Sequence, residues 1–437
     1  MICSKRVEGK GTEEMTSGNR IRTTLEHRAP DSVPVDFGGT LATGVHVSCV
    51  AALRRYYGLD AGPVKVIDPG QMLGEIDEDL SKVMGIDTVE IRRRITRFGF
   101  PAEDWKLWRM HDGLEVLVPG RFNVTVDANG DTLLYPQGDV AAQPSARMPK
   151  DGYFFESVIR QEPLDENALD PKDNLEEYVP VSEQDLEYLE SRARIAAATG
   201  RAVIASFGGT GLGDVASIPG PALKRPRGIR DITEWYISTH SRRGYIHQVF
   251  QGQCQLAIAN LERIAARLEP LVDVVYICGT DFGTQDSSFC SVATFRELWM
   301  PYYQQINTWI HRNTRWKTFK HSCGAVSRFI PAFLESGFDI LNPVQCSAAG
   351  MDPEELKSMY GDKIVFWGAG VDTQHVLPFG TPEQVRSQVL RRCEIFARGG
   401  GFVFSTIHNI QALTPTENIV AMLNAVREFN GVKSDAA

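Results

Sequence analysis

The feature that most constrains this chain is an alternation of short apolar β-type runs with helix-type periods, clearest from Ser182 onward. Strand candidates begin near residues 33, 88, 202, 272, 316, 339, 363 and 401, and most are followed by a helical period. Strands that alternate with helices call for crossover connections and a parallel sheet. The spacing therefore predicts an α/β fold, a (β/α)8 TIM barrel, with a doubly wound open sheet as the alternative. Residues 1–17 are expected to be a flexible N-terminus, and 18–437 a single barrel domain.

Residues 95–180 interrupt the pattern, and a β-rich insertion or lid after the second strand is expected there. Leu114 to Val118 and Phe122 to Val126 are strand-like, with Pro119-Gly120 as a turn between them. Asn129-Gly130 before Thr132 to Tyr135 is a strong hairpin signal, because both central turn positions favour positive φ. Trp105, Trp108, Tyr153, Phe154 and Phe155 read as a small satellite core, with a substrate wall as the weaker alternative. Apolar periodicity predicts one helix from Gln71 to Met84 and another from Phe295 to Asn313.

The formal charge of −9 and the pI near 5.6 argue against a nucleic-acid reader, which needs a basic footprint. No run of about 18 apolar residues is present, and Met1 to Arg22 is polar, so a membrane is not an expected partner and the expected compartment is the cytoplasm. Eight scattered cysteines in such a chain read as thiols or metal ligands. Small-molecule chemistry is the expectation, and a homodimer is the expected assembly if there is one.

The polar chemistry collects at strand carboxyl ends, which in a barrel converge on one mouth. Asp36, Asp281, His321, Cys323, Gln345, Cys346, Asp372 and His408 all lie at or just past such ends. In Lys320-His321-Ser322-Cys323-Gly324, period-two alternation points His321 and Cys323 to one side, as an imidazole and a thiolate suited to zinc. A third ligand must come from another strand, and His408 and Cys346 are both candidates; Cys346 could also be a fourth. Asp281 and Asp36 are the candidate catalytic carboxylates, and Gln345, Asp372 and Phe207 the candidate substrate contacts.

At these residues the chain resembles the uroporphyrinogen decarboxylase superfamily, particularly its cobalamin-linked methyltransferase branch. The resemblance is carried by Asp31-Ser32-Val33-Pro34-Val35-Asp36, Gly279-Thr280-Asp281-Phe282-Gly283-Thr284-Gln285, His321-Ser322-Cys323-Gly324, Gly337 to Gln345, and Thr414-Pro415-Thr416-Glu417-Asn418-Ile419. It implies a (β/α)8 barrel, a zinc ion on a His-x-Cys pair plus a distant cysteine, and methyl transfer between a small methylated substrate, such as a methyl ether, and a corrinoid held by a separate protein. His321 and Cys323 match the pair, whereas His408 stands where that branch has cysteine. The decarboxylases' N-terminal arginine segment is absent, and Asp36 occupies the equivalent strand end, where it is expected to repel an acidic tetrapyrrole. Two rival expectations follow, a metal-independent decarboxylase and a non-catalytic corrinoid- or tetrapyrrole-binding protein.

Overall fold

A computed structural model describes residues 15–432, so most of the segment 1–17 expected to be flexible, Cys3 included, lies outside the described residues. Seven parallel strands form one curled sheet, in the order Thr88–Arg92, Ala202–Ser206, Val274–Cys278, Lys317–His321, Ile340–Asn342, Val365–Trp367 and Phe402–Val403. Its two edges meet across residues 34–36. The Asp36 N–H donates to Phe404 O and the Asp87 N–H to Val35 O, each at 2.8 Å.

The strand expected near residue 33 is thus reduced to a single bridge, Val35 against Phe404. Pro34 offers no N–H to extend the ladder, and Gly38, at φ 77, turns the chain away immediately afterwards. The Val35 N–H is satisfied by the Asp87 carboxylate at 2.9 Å rather than by a strand.

Inside the curl, Ile204, Val274, Phe319, Ile340, Val365, Trp367 and Val403 pack together, and Ile21 and Leu25 of helix Ser17–Leu25 join them. Burying such side chains contributes about 2 kcal/mol each. The helices cover the outer face through a larger apolar cluster. Phe319 faces inward, so His321, two residues on, does too, while Lys320 points outward among Phe282 and Phe333. Among the described residues, no helix is long and apolar enough to cross a membrane.

Before the second of the seven strands lie two smaller sheets. In one, Glu115–Val118 pairs antiparallel with Lys106–Arg109 and parallel with Val64–Asp68, which also pairs with Leu73–Gly74. In the other, Val124–Val126, Thr132–Leu134, Ala146–Met148 and Glu156–Ser157 follow one another antiparallel. The first hairpin of this sheet turns at Asn129-Gly130, with Gly130 at φ 88. Trp108, Phe122 and Phe155 stack edge to face at 5.3 and 5.8 Å as part of the larger apolar cluster rather than as a separate satellite core, and Phe154 is exposed.

Three local expectations need correction. The helix expected from Gln71 to Met84 is confined to Glu78–Met84, because Leu73–Gly74 is a strand. A Cβ on Gly74 would lie 3.0 Å from the Val47 Cα, so backbone proximity rather than periodicity fixes this segment. Pro119-Gly120 is no hairpin turn but the link between the two small sheets, anchored by the Gly120 N–H on Glu103 O at 2.9 Å. The helix expected over Phe295 to Asn313 is two helices, Val292–Leu298 and Met300–Asn313, since Pro301 cannot supply an N–H to the preceding turn.

Candidate metal centre and its cavity

His321 is the last residue of its strand, and the chain leaves it through Ser322 and Cys323 to Gly324, at φ 84. A Cβ on Gly324 would lie 2.5 Å from the Gly283 carbonyl carbon, so this loop closes tightly on its neighbour. Backbone bonds fix the turn. The Ser322 N–H donates to Asn342 O at 2.7 Å, and the Cys323 N–H to Asp281 Oδ1 at 2.7 Å. The Gly324 N–H donates to Gln345 Oε1 at 2.8 Å, while Gln345 Nε2 donates to Gln285 Oε1 at 3.0 Å.

The tautomer of His321 follows from its neighbour. Asn342 uses its amide N–H on Trp367 O at 3.0 Å, which leaves its Oδ1 to accept from His321 Nδ1 at 2.6 Å. The Nε2 lone pair is then free, and it lies 3.3 Å from Cys323 Sγ. His408 arrives from the loop after Phe402–Val403, with its ring centroid 5.4 Å from that of His321. One donor atom from each of His321, Cys323 and His408 lies within 4.8 Å of the other two.

This donor set fits zinc. Zn–N bonds of about 2.0 Å and Zn–S bonds of about 2.3 Å place tetrahedral donors roughly 3.3–3.7 Å apart; the His321–Cys323 pair, at 3.3 Å, already has that spacing, and His408 lies within 4.8 Å of both. Two imidazoles and one thiolate leave a fourth position, as catalytic zinc requires. Burial pushes His321 down to about 4, against the opposing Asn342 bond and with a contribution from Lys320. Burial, then the neighbouring His321, pushes His408 down to about 4. Both imidazoles are therefore neutral and able to bind metal at pH 7. Burial first, then Asp281, raises the Cys323 thiol well above its ordinary value, so metal binding must expel its proton.

His321, His408 and Asp281 line a cavity of about 980 Å³. Its other walls include Glu90, Arg92, Arg93 and Arg97, from the first strand of the sheet and the loop that follows it, together with Asp214 and Tyr276. Glu90 accepts from Ser206 Oγ at 2.9 Å and from Arg92, and burial, partly offset by Arg92, moves it up to about 7. Burial raises Asp214, and Asp281 adds to that rise.

The remaining candidates fall apart spatially. Asp36 is fully buried, accepting from Thr88 Oγ1 at 2.6 Å, the Gly39 N–H at 2.9 Å and Trp367 Nε1 at 2.7 Å. It is not among the cavity-lining residues, so its carboxylate faces structural donors rather than a substrate, and the expected repulsion of an acidic ligand has no access route. Cys346 donates to Val344 O at 3.3 Å, sits outside the metal-capable group, and is pushed up to about 11 by burial. Asp372 accepts from the Gln374 and His375 N–H groups at 2.7 Å each, capping its own turn. Gln345 braces the Cys323–Gly324 loop, while Phe207 lines the cavity and packs on Trp316 at 5.5 Å.

Asn342, Glu90, Arg92, Arg93, Arg97, Asp214 and Tyr276 were not singled out by sequence reasoning. The Arg92-Arg93-Arg94 run directly after a strand was the one signal available for the cationic wall.

Residues 256–429 match the uroporphyrinogen decarboxylase (URO-D) family. The uroporphyrinogen decarboxylase of Pseudoalteromonas translucida is 34% identical over 89 residues, 20% of this chain and 24% of that protein. That of Coxiella burnetii is 24% identical over 193 residues, 42% of this chain and 47% of that protein. The matched stretches thus span from about a quarter to about half the length of these curated relatives. Among solved structures, a methyltransferase from Methanosarcina mazei superposes with a TM-score of 0.54 over 95% of this chain and 99% of that one, at 14% identity, which shows a shared fold.

Proposed function

We propose that this chain, whose residues 256–429 match the uroporphyrinogen decarboxylase family, is a member of that superfamily and, within it, a zinc-dependent methyltransferase that moves a methyl group between a small methylated compound, such as a methyl ether, and a corrinoid carried by a partner protein. The observation that carries this reading is the convergence of His321, Cys323 and His408, of which the two histidines line a large cavity. Zinc bound there would act as a Lewis acid on the heteroatom that bears the methyl group.

The protein's own groups prepare that chemistry. Asn342 holds His321 with Nε2 free for the metal, and the Asp281 carboxylate fixes the backbone of Cys323 so that its sulfur stays beside His321. Such supporting contacts typically change metal affinity by about 10–100-fold. Glu90, near neutrality on another wall of the cavity and paired with Arg92, is a group that can exchange a proton within it. A wide cavity suits a reaction in which a second, protein-held cofactor must reach the methyl carbon.

The test is methyl transfer from a methoxylated probe to cob(I)alamin, followed in the visible spectrum with the zinc-loaded protein. Turnover is expected, with loss on chelation, recovery on zinc addition and abolition in Cys323→Ser. Turnover unchanged by chelation and by Cys323→Ser would overturn the reading.

A further inference from the structure

One wall of the cavity is cationic, and it is built rather than incidental. Arg93 lies against Gly208, whose hypothetical Cβ would stand 2.7 Å from the Arg93 Cζ. Arg97 lies against Gly70 in the same way, at 3.0 Å to Cζ, and its guanidinium also sits 5.2 Å from the Phe98 ring centroid. Any side chain at residue 208 or 70 would displace the guanidinium it faces. Gly208, at φ 72, in addition needs the conformational freedom of glycine.

These guanidinium groups lack internal counter-charges. Among the described residues, Arg93 and Arg97 make no ion pair or side-chain hydrogen bond, and Arg97 Nε is buried without a partner. Arg92 is paired with Glu90, yet its Nη1 is also buried without a partner. The neighbouring Asp185 is committed to Arg94, and Asp214 influences Arg97 only at a distance. Arg93 is solvent-exposed and unpaired, whereas Arg97 Nε and Arg92 Nη1 are buried without a partner; buried donors normally find acceptors, so two such donors beside a free guanidinium on one cavity imply an external anion.

We propose that Arg93 and Arg97, supported by Arg92, bind the carboxylate of the substrate, so that the methylated compound is an organic acid anchored at this wall with its methyl-bearing end toward His321 and His408. This rests on the methyltransferase reading for what happens at the far end, but not for the anion site itself. A planar carboxylate matches the guanidinium fork. A phosphate dianion matches less well, because Asp214 and Asp281 line the same cavity and repel the greater charge.

The experiment is calorimetric titration of the zinc-loaded full chain with 4-methoxybenzoate, its uncharged analogue 4-methoxybenzamide, and 4-methoxyphenyl phosphate. The acid should bind about tenfold or more tightly than the amide, as expected for loss of a charge-assisted hydrogen bond. Arg93→Gln and Arg97→Gln should each bring the acid down by about tenfold and leave the amide unchanged. Equal binding of acid and amide, no binding of the acid at millimolar concentration, or tighter arginine-dependent binding of the phosphate would each overturn the proposal. The acid–amide contrast needs no variant, so a misfolded substitution cannot obscure it. Cys323→Ser should retain acid binding while losing turnover, which separates failure of the anion site from failure of the metal reading.

Discussion

Asp36 and Asp281 occupy formally similar places, each just past a strand position of the same curled sheet, yet the two regions use their carboxylates differently. At the closure of the sheet, Asp36 is sealed from solvent and accepts from Thr88, Gly39 and Trp367, tying together segments distant in sequence. At the mouth, Asp281 is half-buried, holds the Cys323 backbone at 2.7 Å and lies 3.9 Å from His321 Nε2. A strand-end position brings a residue to the mouth only if the neighbouring loops leave it uncovered. Where Gly39 and Trp367 close over it, the same carboxylate becomes a structural joint.

The largest expected effect follows from that contrast. Asp36→Ala leaves three buried donors unsatisfied and should cost about 3 kcal/mol or more in urea denaturation, whereas Asp281→Ala should change stability by less than about 1 kcal/mol. Zinc affinity should respond in the opposite way, weakening in Asp281→Ala. Comparable stability losses in the two variants would dissolve the distinction.

Next in size is the support of His321. Asn342→Ala removes the acceptor that fixes the ring, and competition with a chromophoric chelator should show zinc affinity falling by about 10–100-fold. A smaller effect concerns pH. His321 and His408 sit near 4 in the fold, against an ordinary 6.5 in the unfolded chain. The unfolded chain therefore takes up protons first, so their contribution to stability is full above about pH 6.5 and is lost as the pH falls toward 4. In metal-free protein, the wild-type-minus-His408→Gln difference in stability should decline over that window, and a flat difference would contradict the burial of a neutral imidazole. Smallest is Gly208→Ala, expected to cost about 1–2 kcal/mol through its positive φ and to weaken 4-methoxybenzoate binding by displacing Arg93.

How far the sequence was legible depended on the kind of interaction that builds each part. The alternating strands and helices were readable because burial of alternate residues repeats with a fixed period, and the proximity of Cys323 to His321 was readable from the same two-residue spacing, although only His321 lies in the strand. His408 could be proposed as a ligand, but its choice over Cys346 depends on which loop turns inward, a tertiary property. The reduction of the first strand to one bridge was visible only in Pro34 and the glycines that follow it. The arginine wall was hidden for a different reason, since Arg93 and Arg97 are seated by Gly208 and Gly70 from remote segments, and no periodicity connects them. Asp36 was misjudged because position along a strand was visible while its cover of Gly39 and Trp367 was not.

The central claim is that His321, Cys323 and His408 hold one metal ion through a thiolate. Cobalt(II) titration of the metal-free protein, read by absorption spectroscopy, tests it most directly. One cobalt per chain is expected, with an intense near-ultraviolet thiolate band that disappears in Cys323→Ser and survives in Cys346→Ser. No cobalt uptake by the folded wild-type protein, or an identical thiolate band in Cys323→Ser, would contradict it.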